Sequence, residues 1–199
     1  MYIIDQTYFI KELNVPNINE MDSDTLVSLE IDIDKYVRLL LHSALGYDLF
    51  KDLDDNITDG ELNSGADQKW KDLVNGVEYL KDGKTYRWRG LIFTEGNYKG
   101  SLLAKYVFYY WLKDSVSLLT GTGEKQITAT NAIAVNSTQR LTAVWNDFVN
   151  DYQGNICSHV WPELSKVGYV DLIQFLKDKS EDYQDAALSL YQTTNSLGL

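Results

Sequence analysis

The stretch from Leu102 to Leu119 constrains the fold more than any other. Leu102, Leu103, Tyr106, Val107, Phe108, Tyr109, Tyr110, Trp111, Leu112, Val116, Leu118 and Leu119 leave it almost no polar side. A helix apolar all round has to be enclosed by other elements or shared with a partner. The pattern predicts a helix over about 98–120, ended by Thr120-Gly121-Thr122-Gly123, at the centre of a mainly α helical bundle. Its longest unbroken apolar run, Tyr106 to Leu112, falls far short of the roughly 20 residues a bilayer span needs, so no membrane partner is expected. With 199 residues the chain reads as a single domain, 1–199, able to bury a substantial core.

Other helices follow from periodicity and caps. Leu26, Leu29, Ile33, Tyr36, Val37, Leu40 and Ala44 share one helical face, after cap chemistry at Asp22, Ser23 and Asp24 and before a stop at Gly46. Leu29 to Asp34 also alternates with period two, but the length and the capped start favour helix. Residues 51–68 read as a polar loop before a short helix with Trp70, Leu73 and Val74. Asp82-Gly83 between two alternating runs predicts a β-hairpin over about 77–91. Residues 124–136 read as strands or an extended loop. Asn136 or Ser137 caps a helix whose face is Leu141, Val144, Trp145, Phe148, Val149 and Tyr152, and Gly154 ends it. Pro162 opens a helix through Val170, Ile173 and Leu176, and Ser180 to Asp182 cap another carrying Tyr183, Ala187, Leu190 and Tyr191. Residues 1–19 form an apolar arm, 20–155 a helical core with the hairpin, and 156–199 a C-terminal helical extension.

No motif selects a chemistry. Asp52, Asp54 and Asn56 match the first three ligand positions of a calcium loop, but Ile57 and Asn63 stand where Gly and Glu are required. Thr120 to Lys125 lacks the spacing and the preceding strand of a phosphate loop. His42 lies on the polar side of its helix, and His159 follows Cys157 too closely for a facing ligand pair. The 29 carboxylates guarantee near neighbours such as Asp32/Asp34 and Asp54/Asp55, yet none faces the other on a helix. The expectation is a protein without catalytic, cofactor or metal residues. One cysteine excludes a disulfide framework, and 18 basic against 29 acidic residues, a net charge of -11, exclude a broad phosphate-gripping face. The first residues, Met-Tyr-Ile-Ile-Asp-Gln, have no basic leader pattern, so a secretory signal is not expected.

The aromatic surplus, 14 Tyr, 5 Trp and 6 Phe, exceeds what one side of a helix needs. Tyr and Trp are enriched at protein interfaces, so part of it is available for contacts between chains.

From Lys105-Tyr106-Val107-Phe108-Tyr109-Tyr110-Trp111-Leu112-Lys113-Asp114 through Thr120-Gly121-Thr122-Gly123-Glu124, Asn131-Ala132, Ser137 to Leu141 and Ala143 to Phe148, the chain resembles head–tail connector (adaptor) proteins of tailed bacteriophages, in a version from phages of Bacteroides-like hosts. The helix from Asp24 to Leu49 looks like the first long helix of such adaptors. The resemblance covers about residues 20–155, by order of elements.

It implies a virion protein assembled in the host cytoplasm, a ring of probably twelve copies between the portal protein and the tail or a further ring protein. DNA would pass through the channel without specific binding. Twelve copies at -11 would carry about -130, which repels phosphate and lets a duplex slide. Ring closure against that repulsion needs apolar contacts on the order of 1,500 Å² each. Tyr2, Tyr8 and Phe9 of the arm are candidate contacts with a neighbour. Tyr183, Leu190, Tyr191, Leu197 and Leu199, in a C-terminal segment that such adaptors use to bind the portal, are the others. That segment, 183–199, is expected to be separable from the folded body. The alternative from composition alone is an acidic protein-binding accessory module that does not assemble into rings.

Overall fold

The computed structural model describes residues 3–15, 18, 24–115, 117–120, 123–126, 137–154 and 167–194. Tyr2, Pro16, Asp22, Ser23, 127–136, Cys157, His159, Pro162, Leu197 and Leu199 lie outside them.

The arm makes two 3₁₀ turns, Gln6–Tyr8 and Lys11–Leu13. Helix α1 (Asp24–Leu45) leads through Gly46 into α2 (Tyr47–Asp55), and strands β1 (Ile57–Thr58) and β2 (Glu61–Leu62) form a minimal hairpin before α3 (Gln68–Asn75). Strands β3 (Val77–Lys81) and β4 (Lys84–Trp88) pair antiparallel, as do β5 (Ile92–Glu95) and β6 (Tyr98–Ser101). Helix α4 (Leu102–Ser115) follows, then the pair β7 (Ser117–Thr120) and β8 (Gly123–Gln126), then α5 (Ser137–Gln153), β9 (Val167–Val170) and α6 (Leu172–Asp178).

A mainly helical bundle is therefore not what this chain forms. Among the described residues six α-helices stand with nine short strands in four small sheets, a mixed α/β architecture. The central helix occupies 102–115, not 98–120. Ser101 fixes its start, its Oγ accepting from the amides of Leu103 and Ala104 while donating to the Leu91 carbonyl. Gly100 before it lies under the Phe93 ring, and a Cβ there would sit 2.3 Å from the ring's tip, so a larger residue would have to push the ring aside. Residues 117–120 turn back as a strand, since pairing with 123–126 satisfies backbone groups that a longer helix would use.

Two packing units result. In the first, α4 lies between α1 and α5. Leu29, Ile33, Tyr36, Val37, Leu40 and Ala44 of α1 are buried, and Tyr36 stacks on Tyr110 with ring centroids 4.5 Å apart. Tyr106 meets Phe148 at 5.0 Å and Tyr109 meets Trp145 at 4.5 Å across the α4–α5 seam. The arm closes one end, burying Ile3, Ile4, Phe9, Leu13 and Val15.

In the second unit, β3, β4 and β9 form a sheet in which β9 pairs parallel to β4, Thr85 opposite Val167 and Trp88 opposite Val170. The Asp82-Gly83 turn that joins β3 to β4 has positive φ at both residues, the backbone a two-residue hairpin demands. Helix α6 covers the sheet. Its Phe175 stacks on Trp88 at 5.6 Å and meets the Tyr79 edge at 6.0 Å. Helix α3 packs beside it, where the Trp88 indole N–H donates to the Leu73 carbonyl over 2.9 Å.

Of the helix expected from Pro162 onward, the described residues form a helix only over α6, because Asp171 caps its start through the Gln174 amide and 167–170 are drawn into the sheet; Pro162 itself lies outside the described residues. No helix forms over 183–191. Those residues run as turns and extended chain over the body: the Ala186 amide closes a turn on the Tyr183 carbonyl, and the Leu188, Ser189 and Tyr191 amides bond to α1 and α5.

Candidate interaction surfaces

Helix α1 is apolar on two sides. Opposite the buried face, Val27, Ile31 and Leu39 are 53%, 63% and 51% exposed. With Lys35 they form a row at four-residue spacing, the kind of ridge that seats in the groove of another helix. Lys35 folds its ammonium over the Tyr36 ring, 4.5 Å from the centroid, and Tyr36 in turn donates to Asp114. Tyr47, just past the end of α1, is also exposed. Burial and the neighbouring Asp114 push the Asp32 carboxyl above its ordinary range.

The C-terminal segment is fastened to the body along a defined track. The Leu188 amide donates to the Ala44 carbonyl over 3.0 Å, and the Ser189 amide to that of Ser43 over 3.3 Å. The Tyr191 ring enters the aromatic cluster, 5.0 Å from Tyr152, 5.3 Å from Phe148 and 5.9 Å from Tyr106. The Ser43 hydroxyl directs its proton at the Leu40 carbonyl, so the 2.8 Å contact with the Tyr191 hydroxyl is donated by Tyr191. The Gln153 carboxamide binds the main chain of Tyr191 at both its N–H and its C=O. Asn146 does the same to Thr194, each bond 2.9 Å long. Between them the Trp145 indole N–H donates to the Gln192 carbonyl over 2.7 Å.

The candidate contacts separate accordingly. Phe9 and Tyr183 are buried in the chain's own core, and the Tyr183 hydroxyl donates to the Lys69 carbonyl. Tyr8 and Tyr191 are half-buried, with the Lys99 ammonium 5.4 Å over the Tyr8 ring. Leu190 is 70% exposed. A segment separable at 183 is not what the packing allows, because cutting there removes Tyr183 from against Trp70 and Phe175. The exposed ridge of α1 is legible in the sequence as Val27, Ile31 and Leu39, a row at spacing four in which Lys35 holds the third place. The docking track is not, since it reads main chain.

Acidic side chains elsewhere serve the fold. Asp52 and Asp54, which match calcium-ligand positions by spacing, lie on α2 and pair with Lys69 and Arg38, both over 2.9 Å. Asp178 ties the hairpin to α6, accepting from Tyr79 over 2.7 Å and from Lys81 and Gln174. Burial alone would raise its carboxyl, but these donors outweigh burial and hold it below its ordinary value of 3.8. A cleft of about 630 Å³ lies between the arm, the β1–β2 turn and α3, edged by Asp5, Glu61, Lys71 and Lys99. Among the described residues there is no group of three or more His, Cys, Asp or Glu placed to hold a metal ion, and no helix long and apolar enough to cross a membrane.

Comparison of the chain with protein-family models, with curated proteins and with solved structures finds no match.

Proposed function

We propose that this chain is an assembly subunit of a phage particle, a connector that forms a ring between portal and tail and lets DNA pass through it. The observation that carries the reading is the ridge of Val27, Ile31 and Leu39 on a helix whose other face is already buried. Isolated exposed apolar residues are ordinary, whereas a row in ridge register on a long helix fits another helix. A net charge of -11 adds a second physical support, since an anionic channel wall does not hold a duplex. The same charge opposes association, so copies need an apolar contact to close a ring.

The test is the mass and symmetry of the full chain, alone and with the portal of the phage that encodes it. Multi-copy rings are expected, and Ile31→Asp is expected to reduce them at least tenfold while the chain stays folded. Particles that lack the protein yet join head to tail and keep their genome would overturn the reading. One observation favours an accessory module without ring assembly: residues 188–194 are fastened to their own body. A chain that stays monomeric with portal and tail proteins present would decide for that module.

A further inference from the structure

The fastening of the C-terminal segment has a geometry that goes beyond packing. Asn146 and Gln153 stand seven residues apart on α5, two helical turns, and so lie on one face about 10.5 Å apart at 1.5 Å per residue. Tyr191 and Thr194 stand three residues apart in extended chain, which spans about 10 Å. The two repeats match. Each carboxamide gives its N–H to the carbonyl and takes the amide proton of one residue, the two bonds a neighbouring β-strand would make. Gln139 carries the row one step further, seven residues before Asn146 and exposed. Helix α5 is thus a ladder that reads the main chain of an extended peptide, with Trp145 bonding between the rungs and an aromatic socket for one tyrosine.

We propose that this ladder is an exchangeable clasp: the α5 groove of one copy takes residues 189–194 of a second copy. The proposal deepens the assembly reading above and rests on it for the identity of the occupant. Three features point to a second copy.

The peptide that fits the groove is this chain's own. No charged side chain occurs from Ala186 to Leu199, so this stretch escapes the repulsion that the rest of a chain at -11 meets on approaching its like. The segment also begins at a natural hinge. Leu188 has φ +50°, a left-handed backbone that leucine rarely adopts, and the closed arrangement requires it there. Tyr183 anchors the near end in its own core, and eight residues to Tyr191 reach at most about 28 Å, enough to cross to an adjacent copy.

The experiment uses two full-length chains, both with Cys157→Ser. The donor carries Thr193→Cys and the acceptor Ala143→Cys, both at exposed positions beside the track. They are mixed, unfolded, refolded together and treated with a short bismaleimide. A covalent heterodimer is expected. Asn146→Leu with Gln153→Leu in the acceptor should lower its yield at least fivefold. The same pair in the donor should leave the yield unchanged or raise it, because it frees the donor's segment. Far-UV circular dichroism and urea unfolding of the doubly substituted chain, expected to match the parent's fold, separate loss of the ladder from loss of fold. Absence of a heterodimer, while a single chain carrying both cysteines links within itself, would overturn the exchange. So would a heterodimer whose yield is indifferent to the ladder. Rings that persist in either case and vanish with Ile31→Asp would leave the assembly reading standing without the exchange.

Discussion

The helical trio α1, α4 and α5 and the unit built on β3, β4 and β9 hold together by different means. The trio is locked by large aromatic side chains at close range: Tyr36, Tyr106, Tyr110, Trp145, Phe148 and Tyr191 form one continuous cluster. The sheet unit is smaller and depends on polar ties across long sequence distances. Tyr79 and Lys81 reach Asp178, Trp88 reaches the Leu73 carbonyl, and β9 joins β4 from far along the chain. Apolar burial does not titrate, whereas a bond to an ionised carboxylate depends on both geometry and pH. The trio should fail only when volume is removed, and the sheet unit when a donor or a charge is.

Truncating the trio should have the largest effect. Phe148, fully buried and in ring contact with Tyr106, Trp145, Tyr152 and Tyr191, is expected to cost about 4 kcal/mol as Phe148→Ala in urea unfolding. A loss below about 1 kcal/mol would mean that the aromatic cluster does not hold the three helices.

The sheet unit should respond to acid. The Asp178 carboxyl lies below its ordinary value in the folded chain, so it stabilises above that value and its contribution disappears as pH falls through the folded value, below 3.8. Asp178→Asn is expected to cost about 2 kcal/mol at pH 7, and its deficit against the parent chain should shrink below pH 3.8. A deficit that stays constant from pH 7 to pH 3 would show that charge is not what Asp178 contributes.

A smaller effect probes the seam where the C-terminal segment meets the trio. Tyr191→Phe keeps the ring and removes the hydroxyl's bonds to Ser43 and Tyr106, so about 1 kcal/mol is expected. Ile31→Asp on the open ridge should change stability by less than about 0.5 kcal/mol while weakening self-association. Loss of stability comparable to Phe148→Ala would mean that the ridge belongs to the core.

Much of the trio is legible in the amino-acid pattern alone. Most of the amphipathic series of α1 and α5 is buried, with Leu26 and Leu141 only partly so and Leu41 and Leu45 buried besides, and the helix ends fall at Gly46 and Gly154. The hairpin at Asp82-Gly83 is legible for a different reason: few dipeptides accept two positive φ angles in a row. The same pair at Asp59-Gly60 turns β1 into β2, and gives no comparable signal because its strands are only two residues long, too short to show an alternation. Val167 to Val170 resemble the first turn of a helix, since nothing local tells a lone strand from helix when its partner lies beyond the window. Tyr183, Leu190 and Tyr191 share a helical spacing but sit on turns and extended chain. The two tyrosines find better partners on the body than a short helix would provide.

Local chemistry along the chain is enough to decide three amphipathic or apolar helices, the stops of two of them at Gly46 and Gly154, a two-residue turn, and a strongly anionic protein with a surplus of aromatic rings. Tertiary structure decided how far the central helix extends, that 167–170 joins a sheet, and that the last described residues lie against α5. Those choices depend on pairing energies between positions far apart in the chain. Main-chain groups at every residue are alike, so a segment's own side chains do not reveal which distant carboxamide will bind its backbone.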